Sequence, residues 1–134
     1  MKILTGEEKD TIYPSLFKRI FGFEPDKQIP RVVMIDDKKL GFISGYFIDR
    51  ENFYMSWAGH IDGMKSVRRA FAEMEAEMKE VGVKYFIARI HNTNTITQRL
   101  LLGMHWFPRG IMAGSEGLFV EYYKELKDGI IRSD

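Results

Sequence analysis

The chain has no cysteine, which excludes disulfides, zinc–thiolate centres and a thiol nucleophile. It also lacks a surplus of charge of either sign: 20 Lys and Arg stand against 19 Asp and Glu. No bulk field therefore draws it to nucleic acid or to an anionic membrane, and any anion site must be local. Long hydrophobic runs are missing too. The stretch 31–36, Arg-Val-Val-Met-Ile-Asp, has strand length and falls far short of a membrane span. The start Met1-Lys-Ile-Leu-Thr-Gly has no apolar signal-peptide run, so a cytoplasmic location is the expectation. The three histidines show no metal-ligand spacing, so no metal site is expected, and no Gly-x-x-x-x-Gly-Lys-Ser/Thr loop occurs. Repeats, low-complexity segments and linkers are likewise absent.

What is present builds one core. With 134 residues, 45% apolar and 13% aromatic, the chain fills a single core and would leave two halves marginal, so residues 1–134 read as one domain. After a short strand at 2–4, the stretch 7–22 carries Leu16, Phe17, Ile20 and Phe21 at helical spacing; Pro14 opens or bends the helix and Gly22 ends it. Three β-runs follow at 31–35, 40–48 and 53–59, and the short polar turns between them dictate an antiparallel meander. The next helix opens at Ser66. In it Val67, Phe71, Met74, Met78 and Val81 recur in steps of three and four, Glu75 and Lys79 form an exposed pair, and Gly82 supplies the stop. Residues 83–90 are apolar on both faces, as in a covered central strand. A helix at 95–102 precedes two last strands at 104–108 and 117–123.

This order places a right-handed crossover between strands 53–59 and 83–90, which therefore run parallel with their carboxyl ends on one edge. The predicted class is α/β (α+β): a mixed sheet, mostly antiparallel, with a parallel pair at the centre and helices on both faces. His60 and His91 fall on one rim with the Asn92-Thr-Asn94 amides and the start of the second helix. A helix N-terminus offers unpaired backbone N–H groups and partial positive charge. With Gly59, Gly63, Lys65, Arg68 and Arg69 around it, that loop suits a bound phosphate.

Several segments between 29 and 124 carry a wider pattern. They are the 36–45 hairpin Asp-Asp-Lys-Lys-Leu-Gly-Phe-Ile-Ser-Gly, the strand ending Trp57-Ala-Gly-His-Ile with its loop and helix, Lys84-Tyr-Phe-Ile-Ala-Arg-Ile leading to an asparagine, and a Gly-Met and Phe-Pro-Arg-Gly segment. Together they resemble the GNAT superfamily of acyl-CoA-dependent N-acetyltransferases. The resemblance implies direct transfer of an acetyl group from acetyl-CoA to a primary amine of a small molecule or peptide. It implies pantetheine inserted between splayed strands 53–59 and 83–90, with a nearby backbone N–H polarising the thioester carbonyl. It also implies cofactor contacts at Ala58, Gly59, His60, Ile61, Gly63, Lys65, Ser66, Val67, Arg68, Arg69, Asn92 and Asn94. Two features depart from the family. Its glycine-rich loop is reduced to Gly63 and Ala70, with Lys65 and Arg68 supplying charge, and residues 95–102 lack the tyrosine that protonates the leaving thiolate.

For the chemistry, His60 is the first candidate base, acting directly or through water, against the plainer reading of a rim histidine. Tyr54 and Ser56 share a strand face and either relay a proton or bond neighbouring backbone. Tyr123, with Tyr122 beside it, either replaces the missing acid or packs. Lys65 and Arg68 meet phosphate or stay solvated, and Arg69 has Glu73 as an alternative partner. Asn92 and Asn94 hold pantetheine amides, cap the next helix, or both. Two other function classes stay open: a GNAT-like domain that binds CoA without catalysis, and a cofactor-free interaction module using aromatics at 46–54 or Trp106-Phe107. Glu7, Glu8, Asp10, Glu24, Asp26, Glu116 and Glu121 in the acceptor region favour a cationic amine, and edge strands make a homodimer an expectation.

Overall fold

The computed structural model describes residues 2–25 and 32–126. In chain order the elements are β1 (Lys2–Leu4), α1 (Gly6–Phe21), β2 (Val32–Ile35), β3 (Gly41–Phe47), β4 (Asn52–His60), α2 (Met64–Glu80), β5 (Tyr85–His91), α3 (Thr95–Gly103), β6 (Phe107–Gly114) and β7 (Gly117–Glu125). Arg31, expected in the second strand, and Asp26 lie outside the described residues. The strands form a mixed sheet in the order β1-β2-β3-β4-β5-β7-β6, with β4 and β5 its central parallel pair. The chain divides into two compact units.

The first unit is Met1–Tyr46 with Tyr54–Met74. β1 and β3 flank β2 in antiparallel register, Ile3 opposite Met34 and Val33 opposite Ser44. Leu4, Tyr13, Leu16, Phe17, Val33, Ile35 and Phe42 make its core. α1 forms because these apolar residues share one stripe, with Glu7 and Glu8 at its positive end and Lys18 and Arg19 at its negative end. Pro14 sits inside this helix and does not open it. Gly22 ends it in the left-handed region at φ 81°, its N–H donating to the Lys18 carbonyl. The stripe rests on β4 where Gly59 leaves room: a Cβ there would lie 2.8 Å from Ile20 Cγ2 and 3.0 Å from Phe21 Cζ.

The second unit is Phe47–Phe53 with Glu75–Asp134. β7 is paired antiparallel on both sides, to β5 (Ile87 opposite Tyr123) and to β6 (Met112 opposite Phe119). Phe53 and Phe86 are fully buried, as is Trp106, which stacks on Phe86.

Five expectations are corrected here. β6 begins at Phe107, not at Met104, because residues 104–106 close α3: His105 N–H donates to the Leu102 carbonyl and Trp106 N–H to the Leu101 carbonyl. That is the paired-bond helix stop usually built on glycine, and here His105 takes the left-handed conformation at φ 67°. It turns Trp106 inward, leaving only Phe107 of that aromatic pair exposed. Val81 falls past the end of α2 and is exposed. Glu75 pairs with Lys124 of β7, not with Lys79. α2 itself starts two residues ahead of Ser66, at Met64.

Candidate functional site

Within the first unit, β4 delivers Tyr54, Ser56, Ala58 and His60 to one face and Met55, Trp57 and Gly59 to the other. The first set is the less covered: Ser56 is exposed, and Tyr54, Ala58 and His60 are half-buried. Tyr54 stacks on Tyr46, ring centroids 5.1 Å apart. On the opposite face Trp57 packs against Phe17, Phe21 and Phe23, and its carbonyl accepts the Ser44 hydroxyl.

The end of β4 is held by its side chains. His60 Nδ1 accepts the Asp62 N–H at 2.9 Å, so the ring proton sits on Nε2, which donates to Asp36 Oδ2 at 3.2 Å. Both imidazole nitrogens are thus occupied, and the side chain is only 9% exposed. The other Asp36 oxygen accepts the Leu40 and Gly41 N–H groups, and Ile61 N–H donates to the Leu40 carbonyl. Gly41 is needed for this fit, since a Cβ there would lie 2.3 Å from His60 Cδ2. His60 therefore has both ring nitrogens engaged in holding the end of β4.

Beyond it, Gly63 at φ +90° turns the chain into α2, and its carbonyl accepts the first helical bond, from Val67 N–H. The N–H groups of Met64, Lys65 and Ser66 precede that bond, where a helix supplies no partner of its own. Glycine has no side chain to cap them, and the first turn holds no acidic residue. Lys65, Arg68 and Arg69 are exposed there, Ser66 is half-buried, and Val67 turns into the core. Exposed cations and a first turn without acidic residues, with the Asp62 carboxylate just ahead of it, surround these backbone donors.

In the second unit, His91 ends β5 with both nitrogens engaged: Nε2 donates to the Glu116 carbonyl at 3.0 Å and Nδ1 accepts the Thr93 hydroxyl at 2.7 Å. Asn94 caps α3, its side-chain oxygen accepting Thr97 N–H, while the Asn92 side chain is exposed. Gln98, which the sequence pattern did not single out, donates to the His91 and Asn92 carbonyls and accepts the Tyr122 hydroxyl at 2.8 Å. Burial pushes the Tyr122 phenol up, keeping its proton on that bond. Tyr123 lies on the other face of β7, packed by Phe107 and with the Arg109 guanidinium 5.5 Å from its ring centre. There Glu121 accepts from both Arg89 and Arg109, whose reach follows from the bulge between Pro108 and Gly110. The Arg109 guanidinium, with Arg89 second, holds the Glu121 carboxyl below the usual carboxylate range. Of the missed residues only Asp36 left a signal, a short acid four residues before a Leu-Gly turn.

No protein-family model matches the sequence, and no curated protein does. Solved structures do. The chain is similar to the ribosomal-protein-S18-alanine N-acetyltransferase from Escherichia coli, with 11% identity and a TM-score of 0.70 over 96% of this chain and 95% of that one. It is similar to a GNAT family acetyltransferase from Elizabethkingia anophelis with acetyl-CoA bound, with 11% identity and a TM-score of 0.60 over 77% and 72% of the two chains. To Ard1 from Thermoplasma volcanium the identity is 10% and the TM-score 0.61, over 66% of this chain and 64% of the length of that one. What is shared at such identities is the path of the backbone: this chain has the fold of the GNAT acetyltransferases.

Proposed function

We propose that the protein is an acetyl-CoA-dependent N-acetyltransferase acting on a primary amine of a small molecule or peptide. The observation that carries this reading is the start of α2, which follows β4 through Gly63 with no acidic residue in its first turn and three exposed cations beside it. Such a site fits a diphosphate: backbone N–H groups of residues 64–66 bind its oxygens, and Lys65 and Arg68 neutralise its charge. When bound, acetyl-CoA supplies a thioester whose carbonyl carbon the amine nitrogen attacks, the C–S bond breaking as the amide forms and a proton passing from nitrogen to the thiolate. The chain's share is to hold the cofactor in reacting geometry, which is worth on the order of 7–11 kcal/mol in the best intramolecular models. Ser56 and Tyr54, on the less covered face of β4, remain the candidates for moving a proton.

A second reading, CoA binding without turnover, is favoured by two observations. α3 carries no tyrosine, and both His60 and His91 have their ring nitrogens engaged. Calorimetric titration with acetyl-CoA, beside 3′-dephospho-CoA and the Arg68→Ala variant, tests the shared part. Micromolar binding weakened by Arg68→Ala is expected, and silence at millimolar concentration overturns both readings. Release of free thiol in the presence of peptides with free N-termini, polyamines or aminoglycosides then separates them.

A further inference from the structure

We infer that Asp36 is the positioning residue of the acyl-CoA site, acting through His60 to set where the chain leaves β4 and enters α2. The inference rests on the reading of the α2 start as that site. Six bonds carry it. Asp36 Oδ1 gathers the Leu40 and Gly41 N–H groups at 2.7 and 3.1 Å, which ties the carboxylate to the β2–β3 turn. Asp36 Oδ2 receives His60 Nε2–H, and His60 Nδ1 receives the Asp62 N–H. The His60 carbonyl then accepts Gly63 N–H, and the Gly63 carbonyl accepts Val67 N–H, the first bond of α2. A continuous path of hydrogen bonds therefore runs from a turn carboxylate to the helix start that would face a diphosphate.

The chemistry of the ring makes the path directional. A backbone N–H can only point at an imidazole lone pair, so Asp62 fixes the tautomer with its proton on Nε2. Asp36 answers that proton with a carboxylate, as outer partners of ligating histidines do. The ring cannot slide, because Gly41 lies against it without a Cβ and the side chain is 9% exposed. Losing either partner loosens Asp62, the residue between the Ile61–Leu40 bond and Gly63, and with it the angle at which the α2 donors are presented. His60 is in this account a positioning residue too, and not the base.

The test uses the whole chain and measures affinity for CoA by calorimetry in the unsubstituted protein, Asp36→Asn, His60→Asn and the double variant. Asparagine at 60 keeps an acceptor near the Nδ1 position for Asp62 N–H but no longer reaches Asp36. Each single substitution is expected to weaken CoA about tenfold, and the double variant no further, because the two side chains act in series. Amide exchange at Asp62 and Gly63, read by NMR without CoA, should quicken in Asp36→Asn. Where turnover is measurable, KM for acetyl-CoA rises and kcat holds. If Asp36→Asn fails to fold, Asp36→Ser keeps a short oxygen for the Leu40 and Gly41 amides while withdrawing the one that meets His60. Unchanged CoA affinity in both single variants overturns the inference, as does a double variant whose losses multiply. A fall in kcat at constant KM in His60→Asn also overturns it and restores the base. If the unsubstituted chain binds no CoA, the acyl-CoA reading fails and takes the inference with it.

Discussion

Glu121 accepts from two guanidiniums on one face of β7 and is itself little exposed, so its carboxyl gives up a proton more readily folded than unfolded. The stability it contributes is whole above the ordinary glutamate value of about 4.5 and drains as the pH falls through the lower folded value. Glu121→Gln should cost about 1 kcal/mol at neutral pH, since the arginines are nearly half exposed and solvent screens them. Thermal melts at pH 7 and pH 3 check this: the gap between the two proteins should be smaller at the second than at the first. Gly41 gives a prediction of a different kind. Alanine there drives a methyl into the His60 ring at 2.3 Å and against the Gly59 carbonyl at 3.0 Å. It should cost about 1–3 kcal/mol in urea denaturation, most of it recovered when His60→Ala removes the ring. Neither contact is visible in a linear pattern. Asp36 and His60 are 24 positions apart, and only the hairpin between them makes them neighbours, which is why His60 reads as a free rim histidine until its partners are seen.

Element ends were legible where glycine marks them. Gly22 and Gly82 each take a positive φ and each stops a helix as the composition indicates. α3 breaks the pattern, because its glycine, Gly103, is the last helical residue while His105 occupies the left-handed position. A non-glycine residue there carries strain of about 1–2 kcal/mol. His105→Gly should therefore raise stability by about 0.5–1 kcal/mol after the entropy of a freer unfolded chain is subtracted, measurable as a higher denaturation midpoint with unchanged slope. The start of α2 misleads in the opposite way. Ser66 looks like a capping residue, yet the cap position falls to Gly63, which has no side chain and leaves no signature. On the proposed reading this is also the diphosphate site, so the boundary that is hardest to read is the one on which the proposed binding rests.

For the molecule as a whole, the strand types and their meander followed from period-two runs and short turns, and the parallel pair from the long helical connection between β4 and β5. The extent of β6 did not, because Gly110 to Gly114 carry little β signal and are exposed along their whole length. A ligand that binds only the folded chain should stabilise it. At a hundredfold excess over its dissociation constant acetyl-CoA adds about 2.7 kcal/mol, a rise on the order of 10 °C in melting temperature. Arg68→Ala should reduce that rise, and added salt should reduce it in the unsubstituted protein more than in the variant.

The sheet order has one more consequence, which concerns how the chain is made. β5 takes its antiparallel partner from β7, and α3 and β6 are synthesised in between. Until β7 leaves the ribosome, Phe86, Ile87 and Ala88 form an apolar strand with one row of ladder groups unmatched, the kind of edge that recruits other chains. Nascent chains stalled after Gly114 should accordingly be captured by chaperones or aggregate, whereas chains released past Glu125 should not.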